Sequence, residues 1–372
     1  MKKLVCALLS VLLLASVFAG CKDRESVDDR PMEVKETVIE SENTRENTTT
    51  PGREAEGSPG LEFESNRDGT CRVIGIGSCT DKDIVLPVRS PDGEVVTSIS
   101  DSAFSAVATI ESVTMEGNIT RIGKYAFSGC TNLKSASIPD SVVVLGEAAF
   151  AGCGSLQSVM LSRNLLAIED QTFFGCQEMK SITLPNSISY IGFRAFFGCV
   201  QLESIAVPEN VTEIHCEAFR ECSGLKKISI SKRVRSIHMK VLAGCRNLAE
   251  ISVAPENTNF FSVQNCLVNK DTCEVIATGN NFSIPSYAGI SGIGNGAIEM
   301  EGDTASLTIP KNITYLRSRA VSGCKNVFYE GTIEEWQSIN KSTNWIDISG
   351  ECWLTCADGT RLDLRNDDFG GK

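Results

Sequence analysis

The sequence is short of the residues on which most catalytic and metal sites depend. It contains 2 histidines among 372 residues, and aromatic residues make up 6% of the chain. It has no G-x-S-x-G nucleophile motif, no H-E-x-x-H zinc motif and no P-loop. We therefore expect no catalytic residue, no metal and no cofactor, and we predict that the protein is not an enzyme.

Positive charge is also scarce. The chain carries 35 Lys and Arg against 47 Asp and Glu, a formal net charge of −12. Nucleic acid requires a basic surface, and anionic lipid attracts one. Neither nucleic acid nor simple electrostatic attachment to a membrane is therefore expected. The hydrophobic content of 42% is typical of a folded protein.

The chain is organised around a repeated phrase in which an aromatic residue precedes a cysteine by three positions. Consecutive aromatic positions, such as 127 and 150, differ by 23 residues. Phe104 lies one period upstream and has Val107 in the cysteine position. A period of about 20–50 residues indicates a solenoid. The phrases are Phe127-Ser-Gly-Cys130, Phe150-Ala-Gly-Cys153, Phe173-Phe-Gly-Cys176, Phe196-Phe-Gly-Cys199, Phe219-Arg-Glu-Cys222 and Leu242-Ala-Gly-Cys245.

Each cysteine is followed by a stretch with the pattern L-x-x-I-x-L, as in Leu202-Glu-Ser-Ile205-Ala-Val207. A proline often ends it, and a second apolar pair such as Val211 and Ile214 follows. The β-branched residues favour a short strand, and proline cannot continue its hydrogen-bond ladder. One repeat cannot bury these apolar positions alone, but stacked repeats can.

The full phrase L-x-x-I-x-L-P-x-x-V-x-x-I-G-x-x-A-F-x-G-C resembles the leucine-rich repeat of the BspA-like bacterial surface proteins, also called Treponema-type. The resemblance extends from roughly Gly93 to Cys324. It implies a β-rich, curved, right-handed solenoid of short parallel strands with N- and C-terminal caps. It also implies a role in recognition, through adhesion to host matrix or plasma proteins or to other bacterial surface proteins.

Residues 1–20 have the features of a lipoprotein signal peptide. Met1-Lys2-Lys3 is a basic start, an apolar run extends from Leu4 to Phe18, and Phe18-Ala19-Gly20-Cys21 resembles a lipobox. We predict cleavage before Cys21, lipidation of Cys21, and a location at the outer membrane or cell surface of a bacterium. The alternatives are an ordinary signal peptide with a coincidental cysteine or a membrane anchor, although a span needs about 20 apolar residues.

Residues 21–65 are predicted to be a disordered acidic tether. Between Lys22 and Ser65 there are 13 acidic and 6 basic residues, and such a segment buries too little apolar surface to fold. Residues 66–95 are predicted to be an N-terminal cap, in which Cys71–Cys79 and Asp83–Pro87 form a hairpin over the open end of the solenoid. Cys71 and Cys79 can form a local disulfide in an exported protein.

Residues 96–325 are the predicted solenoid, and its period breaks near Pro255. The extra residues, at about 256–280, predict a hairpin with Asn269-Lys-Asp at its turn. Cys266 and Cys273 flank that turn and can pair across it. Because insertions in a repeat array often lie on the binding face, this hairpin is a second candidate contact.

Residues 326–372 are predicted to be a C-terminal cap. The stretch Tyr329-Glu-Gly331-Thr-Ile-Glu-Glu335-Trp336 resembles the terminal unit of the same family, and all 3 tryptophans fall in this region. We expect them to close the end of the core beside a helix and a last strand. The alternative is a stacking platform for carbohydrate.

The candidate protein-binding surface is the face of the strands that points away from the core, on the concave side of the array. It comprises the third and fifth residues of each L-x-x-I-x-L stretch, which alternate with the apolar positions. The alternative interpretation is that small residues simply suit the crowded inner side of a curved sheet. The predicted contact residues are Ser158, Met160, Ser181, Thr183, Ser204, Ala206, Lys227, Ser229, Glu250 and Ser252.

Two sets of reactive residues recur with the period. The cysteine ladder is predicted to be buried core, because a free cysteine behaves as a small hydrophobic residue; disulfides or a metal are the alternatives. His215 and His238 are also one period apart, and a metal site or a pH-sensitive pair is the alternative to two surface residues.

Two functions remain. The first is a surface lipoprotein, expected to be a monomer, that binds host or bacterial surface proteins. The second is a structural or periplasm-facing lipoprotein that binds an envelope component.

Overall fold

The computed structural model describes residues 57–286, 289–300, 305–348 and 350–365. All of them belong to one compact unit, Glu56–Lys372. The predicted signal peptide, Cys21 and most of the predicted tether lie outside the described residues, as do residues 366–372 of the predicted C-terminal cap.

Short strands follow one another along the first two thirds of the unit. In chain order they are β1 (Glu62–Ser65), β2 (Thr70–Gly75), β3 (Asp83–Leu86), β4 (Val95–Ile99), β5 (Ser112–Met115), β6 (Arg121–Ile122), β7 (Ser135–Ser137), β8 (Val144–Leu145), β9 (Ser158–Met160), β10 (Tyr190–Ile191), β11 (Ser204–Ala206), β12 (Glu213–Ile214), β13 (Lys227–Ile230), β14 (Ser236–Ile237) and β15 (Glu250–Val253).

The L-x-x-I-x-L stretch of each repeat forms a first parallel ladder. Its two segments are β3-β5-β7-β9 and β11-β13-β15. Each residue lies beside its equivalent one period later, so Val113 pairs with Ala136 and Ile205 with Ile228. The solenoid of short parallel strands predicted from the sequence is therefore confirmed.

The second apolar pair of each repeat forms a second parallel ladder. Its segments are β1-β2-β4-β6-β8 and β10-β12-β14. An isolated bridge between Ile168 and Ile191 lies between the two segments. In this second ladder, every strand from β6 onward contains only two residues. The reason is that the chain turns back towards the core directly after the isoleucine or leucine that ends each of these strands.

The N-terminal hairpin differs from the expected one. β2 pairs antiparallel with β1 and parallel with β4, whereas β3 pairs in parallel with β5. The predicted hairpin between Cys71–Cys79 and Asp83–Pro87 is therefore wrong. The reason is that Ile84 and Leu86 are buried as first-ladder residues, which places β2 and β3 in different ladders. β1 also shows that strand structure begins within the stretch expected to be the tether.

Aromatic rings form a continuous stack through the core. Phe104, Phe127, Phe150, Phe173, Phe196 and Phe219 are fully buried, and the centroids of consecutive rings lie 5.1–5.8 Å apart. Such parallel stacking adds to the free energy gained by burial. Because each ring packs against the rings of both neighbours, every repeat stabilises the next.

A three-stranded meander lies where the period breaks. β16 (Phe260–Val263), β17 (Cys266–Asn269) and β18 (Glu274–Thr278) pair antiparallel in sequence, and β18 continues in parallel with β19 (Gly292–Ile293). Leu267 belongs to the N-terminal hydrophobic core, whereas Cys266 and Val268 belong to the C-terminal core. The insertion is therefore a sheet that packs against one hydrophobic core on each of its faces, and it does not project as a loop.

The remaining elements form the C-terminal end. α1 is closed at its start by a capping box, in which Thr332 accepts from the Glu335 N–H and Glu335 accepts from the Thr332 N–H. No helix among the described residues is long and apolar enough to span a membrane. The elements are β20 (Ile298–Glu299), β21 (Ser306–Ile309), β22 (Tyr315–Leu316), β23 (Val321–Ser322), β24 (Asn326–Tyr329), α1 (Ile333–Ser338), β25 (Asn340–Lys341), β26 (Ile346–Asp347), β27 (Trp353–Cys356) and β28 (Arg361–Asp363).

Trp336 and Trp345 fill the core at this end. They are 1% and 0% exposed, and their rings meet edge to face with centroids 5.5 Å apart. Buried rings cannot stack on a sugar, so these two tryptophans do not form a carbohydrate platform.

Candidate functional site: the exposed strand face

The first ladder presents one side to solvent, and the ten predicted contact residues lie on it in two rows. We call this surface the strand face. The register aligns the rows: Ser204 pairs with Lys227 and then with Glu250, while Ala206 pairs with Ser229 and then with Ser252. The strand pairing thus aligns six of the ten predicted residues, whereas Ser158, Met160, Ser181 and Thr183 lie on rungs that are not paired with β11.

Met160 is the most prominent side chain of the strand face. It is 69% exposed, the highest value among the exposed large hydrophobic residues. Ser158, Ser181 and Thr183 beside it are also exposed. Met160 is therefore an exposed apolar side chain among small polar ones.

At its C-terminal end the strand face is tied together by side-chain contacts. Lys227 Nζ lies 2.7 Å from Glu250 Oε1, although both side chains remain about half exposed. Ser252 donates to the Ser229 hydroxyl over 3.0 Å. The side chains at this end therefore contact one another across neighbouring rungs.

The rung that contains Ser181 and Thr183 departs from the expected strand. Residues 181–183 are not in a strand, although β9 and β11 flank them. The central residues Val159 and Ile182 of these two rungs are only half-buried, whereas Ile205 is 3% exposed. Because Val159 and Ile182 sit less deeply in the core than Ile205, their two rungs do not form the evenly spaced hydrogen bonds of a parallel strand pair.

A charged row borders the strand face, and it was not among the predicted contact residues. Its members occupy the second position of L-x-x-I-x-L stretches. Lys134 Nζ lies 2.6 Å from Glu111 Oε2, and Lys226 Nζ lies 3.0 Å from Glu203 Oε2. Alternation of charge at the repeat period was the signal that could have identified it. Lys180 in the same row forms no ion pair with another described residue.

Glu111 is held between two lysines. Lys82 Nζ lies 2.9 Å from its other oxygen. Hydrogen bonds and charge from Lys134 and Lys82 lower the pKa of the Glu111 carboxyl to about 2. Opposite charges favour the ionised carboxylate.

The cysteine ladder is buried, as predicted. Cys130, Cys153, Cys176, Cys199 and Cys222 are 0% exposed, and each thiol donates to the carbonyl oxygen of a core phenylalanine at 3.0–3.3 Å. Burial raises the pKa of the Cys130 thiol to about 12. A thiol with such a pKa is not a nucleophile at neutral pH, because the thiolate is the reactive form.

The local disulfide pairs considered from the sequence do not form. Cys71, Cys79, Cys266 and Cys273 are free thiols. Cys266 lies opposite Thr278, at the end of the hairpin away from the turn, whereas Cys273 lies in the turn. The register therefore separates the two cysteines.

His215 and His238 do meet on neighbouring rungs. Their ring centroids are 5.2 Å apart, and both Nε2 atoms face Glu213 Oε1, at 3.6 and 2.8 Å. Within the described ranges, however, no group of three or more His, Cys, Asp or Glu side chains can hold a metal ion. The pair is a surface cluster sharing one carboxylate.

A cleft of about 830 Å³ lies beside the meander, at the second candidate contact. Its lining is mixed and includes Lys240, Asn280, Phe282 and Thr308. No convergent set of buried polar groups marks a particular ligand there.

Solved structures of other bacterial proteins resemble this chain. A leucine rich cell surface protein from Faecalibacterium prausnitzii A2-165 is 18% identical, with a TM-score of 0.54 over 78% of this chain and 98% of that chain. The T. pallidum leucine rich repeat protein is 26% identical, with a TM-score of 0.49 over 52% of this chain and 91% of that chain. The likeness to the F. prausnitzii protein shows a shared fold.

A second kind of comparison concerns the sequence itself. No curated protein sequence matches this chain. The profile described as BspA type Leucine rich repeat region (6 copies) matches residues 97–210, 144–274, 198–328 and 277–344. These matches cover more than half of the chain and coincide with the solenoid, so the chain belongs to the BspA-type leucine-rich repeat family.

Proposed function

We propose that this protein is an exported, lipid-anchored envelope protein of a bacterium, whose solenoid binds another protein through the strand face and catalyses no reaction. The partners we propose are host matrix or plasma proteins, or surface proteins of other bacteria, bound by a monomer. Family membership supports the binding role, since such repeats build extended recognition surfaces.

The observation that carries the proposal is the exposure of Met160. A methionine that is 69% exposed gives up apolar contact with the core, and flexible methionines are frequent on protein-binding surfaces. Lys180, an exposed charge in the row that borders the strand face, lies one repeat further along the chain and has no ion pair among the described residues. A few such residues account for most of the binding energy of an interface.

Binding by two matched variants tests the proposal. Leu166 is 51% exposed but lies outside the strand face, between the two ladders. We expect Met160→Glu to weaken binding to immobilised fibronectin, fibrinogen or a bacterial surface extract by at least about 10-fold. Leu166→Glu adds the same charge to an exposed apolar position and should change affinity less than about twofold. Equal losses in both variants would remove the strand face as the contact.

The anchor and the location require separate experiments, because Cys21 lies outside the described residues. Mass spectrometry of the mature N-terminal peptide should show acyl chains on Cys21, and Cys21→Ser should release the protein from membranes. Protease treatment of intact cells should cleave a surface-exposed solenoid. Resistance until the outer envelope is opened would favour the periplasm-facing alternative.

A further inference from the structure

The array resumes after the meander with a strand that has a neighbouring strand on one side. β21 ends in Leu307-Thr-Ile309, and Pro310 follows, which repeats the end of the L-x-x-I-x-L-P phrase. It is the first member of the sheet β21-β24-β27-β28, so β24 is its one strand partner among the described residues. In the regular array, the other side of such a strand is covered by the strand of the preceding repeat.

The pairing with β24 determines where the backbone groups of β21 point. The Asn326 N–H donates to the Ala305 carbonyl oxygen over 3.1 Å. The Glu330 N–H donates to the Ile309 carbonyl oxygen, also over 3.1 Å. Odd-numbered residues of β21 therefore face β24, and even-numbered ones face away from it, because successive residues of a strand alternate in direction. Thr308 directs its N–H and C=O to that free side, where neither forms a hydrogen bond with another described residue.

The free side of β21 lines the cleft beside the meander. Leu307 and Thr308 belong to one wall of this cleft, and Lys240 and Phe282 belong to others. The cleft volume of about 830 Å³ lies within the usual range of ligand sites, roughly 300–1,000 Å³. A strand added to β21 would lie about 4.8 Å from it, on the side of the cleft.

The strand at the opposite end of the interruption is closed by a side chain. β15 is the last strand of its sheet, and its Ile251 N–H donates to Asn265 Oδ1 over 3.0 Å. Asn265 Nδ2 donates in turn to the carbonyl oxygens of Leu248 and Asn280, at 3.0 and 2.7 Å. Within the described ranges, no side chain satisfies the Thr308 N–H in this way. The meander thus closes the edge of β15 but does not pair with Thr308.

The walls of the cleft indicate which side chains would fit into it. Lys240 and Glu330 line the cleft, and neither forms an ion pair with another described residue. Half-buried Phe282 and buried Ile284 supply apolar surface. An extended segment that carries one basic and one acidic residue around apolar ones would complement these groups. Because its side chains alternate between two faces, such a segment can turn apolar residues to the wall and polar residues to solvent.

We propose that the edge of β21 binds an extended peptide segment of another protein, which pairs with β21 as an additional strand. The N–H and the C=O of Thr308 each form one hydrogen bond with the peptide backbone. In this mode of recognition the main chain supplies affinity, and the side chains that line the groove select the sequence. The inference goes beyond the proposed function, because none of the ten residues of the strand face lines this cleft.

The test uses the purified full chain and the peptide Lys-Thr-Val-Thr-Val-Thr-Glu, acetylated and amidated at its ends. We expect calorimetry to show binding with a Kd below about 1 mM. Hydrogen exchange of the Thr308 amide should slow by at least about 10-fold at saturation. The same peptide with every internal amide nitrogen methylated cannot donate hydrogen bonds, so it should bind at least about 10-fold more weakly.

Two substitutions at one position separate backbone pairing from side-chain contact. Thr308→Pro removes the N–H, and proline is tolerated where the N–H of an edge strand faces away from the sheet. We expect this variant to fold and its affinity for the unmodified peptide to fall by at least about 10-fold. Thr308→Ala keeps the N–H and should change the affinity less than about threefold.

The comparison of the two peptides needs no variant, so a misfolded Thr308→Pro protein would not affect it. Equal affinities for the unmodified and the methylated peptide would overturn the proposal. Protection of other amides without Thr308, or equal losses in the two variants, would also overturn it, and so would the absence of binding at about 1 mM peptide.

Discussion

Leu267 and Val268 are adjacent in the chain, yet their side chains lie in two different hydrophobic cores. This is possible because successive residues of a strand point to opposite faces, and β17 is covered on both. The meander is therefore part of both cores. Deleting residues 257–275 would open each of them, so point substitutions are the better way to ask whether this region binds a partner.

The meander is held in place by Asn257, which is 1% exposed. Its Nδ2 donates to the carbonyl oxygens of Ser231 and Val234 at 2.8 and 3.0 Å. Its Oδ1 accepts from the N–H groups of Asn259 and Phe260 at 2.9 and 2.7 Å. We predict that Asn257→Ala lowers the free energy of unfolding by about 2–4 kcal/mol, because buried groups lose their partners. Urea denaturation measures the change.

The matched control for that prediction is Asn247→Ala. Asn247 is exposed and donates one hydrogen bond, to the Ser223 carbonyl oxygen at 2.8 Å. It should cost less than about 1 kcal/mol. Similar losses in the two variants would mean that Asn257 does not pin the meander.

Phe173 and Phe174 are neighbours with opposite roles. Phe173 is 0% exposed in the core stack, whereas Phe174 is half-buried and stacks on Phe197 with centroids 5.0 Å apart. We predict that Phe173→Ala lowers the free energy of unfolding by about 3–5 kcal/mol. Phe174→Ala should cost about 1 kcal/mol. Chemical denaturation followed by circular dichroism compares them, and a larger effect at Phe174 would contradict the role of the stack.

The charged row predicts a dependence of stability on pH. The pKa of Glu111 is about 2 in the folded protein, below its value of about 4.3 in an unfolded chain. A lowered carboxyl pKa means that the stabilisation is present above pH ~4.3 and is lost as the pH falls towards about 2. The difference in thermal midpoint between the wild type and Glu111→Gln should therefore shrink between pH 5 and about 2.

Salt provides the control for that measurement. Lys82 and Lys134 act on Glu111 at an exposed site, so 1 M salt should raise the pKa of Glu111 and reduce the same difference. A midpoint difference that does not vary with pH or salt would refute the ionic origin of the effect.

Burial of the thiols predicts which of them react. Burial raises the pKa of Cys130 to about 12 and also raises those of Cys153 and Cys176. Of the described cysteines, Cys79, Cys216 and Cys273 are half-exposed and the others are buried. With iodoacetamide at pH 8, native protein should be alkylated only at those three described positions.

Peptide mapping after alkylation provides the measurement. The ladder cysteines should react only in denaturant, with all positions labelled to a similar extent. Alkylation of Cys176 in native protein, at a rate similar to that of Cys273, would show that the ladder is open to solvent.

The position of a residue in the fold could be predicted from the sequence where that residue follows the 23-residue period. The Phe stack and the buried cysteines were correctly placed, because a residue in a regular repeat meets its own equivalent on each side. Residues 181–183 were expected to form a strand and do not, since Val159 and Ile182 sit less deeply in the core than their equivalents. No single residue in the stretch signals that shift.

The sequence by itself determined the 23-residue period, the apolar positions that face inward and the polar positions that face outward. In a stacked array, the inward and outward positions follow from the alternation of side chains along each strand and from the spacing of the repeats. Both are present in the sequence of every repeat. Tertiary structure alone decided that β2 and β3 join different ladders and that β17 separates two cores. At each of these places the period is broken, so the neighbours of a residue are set by long-range packing.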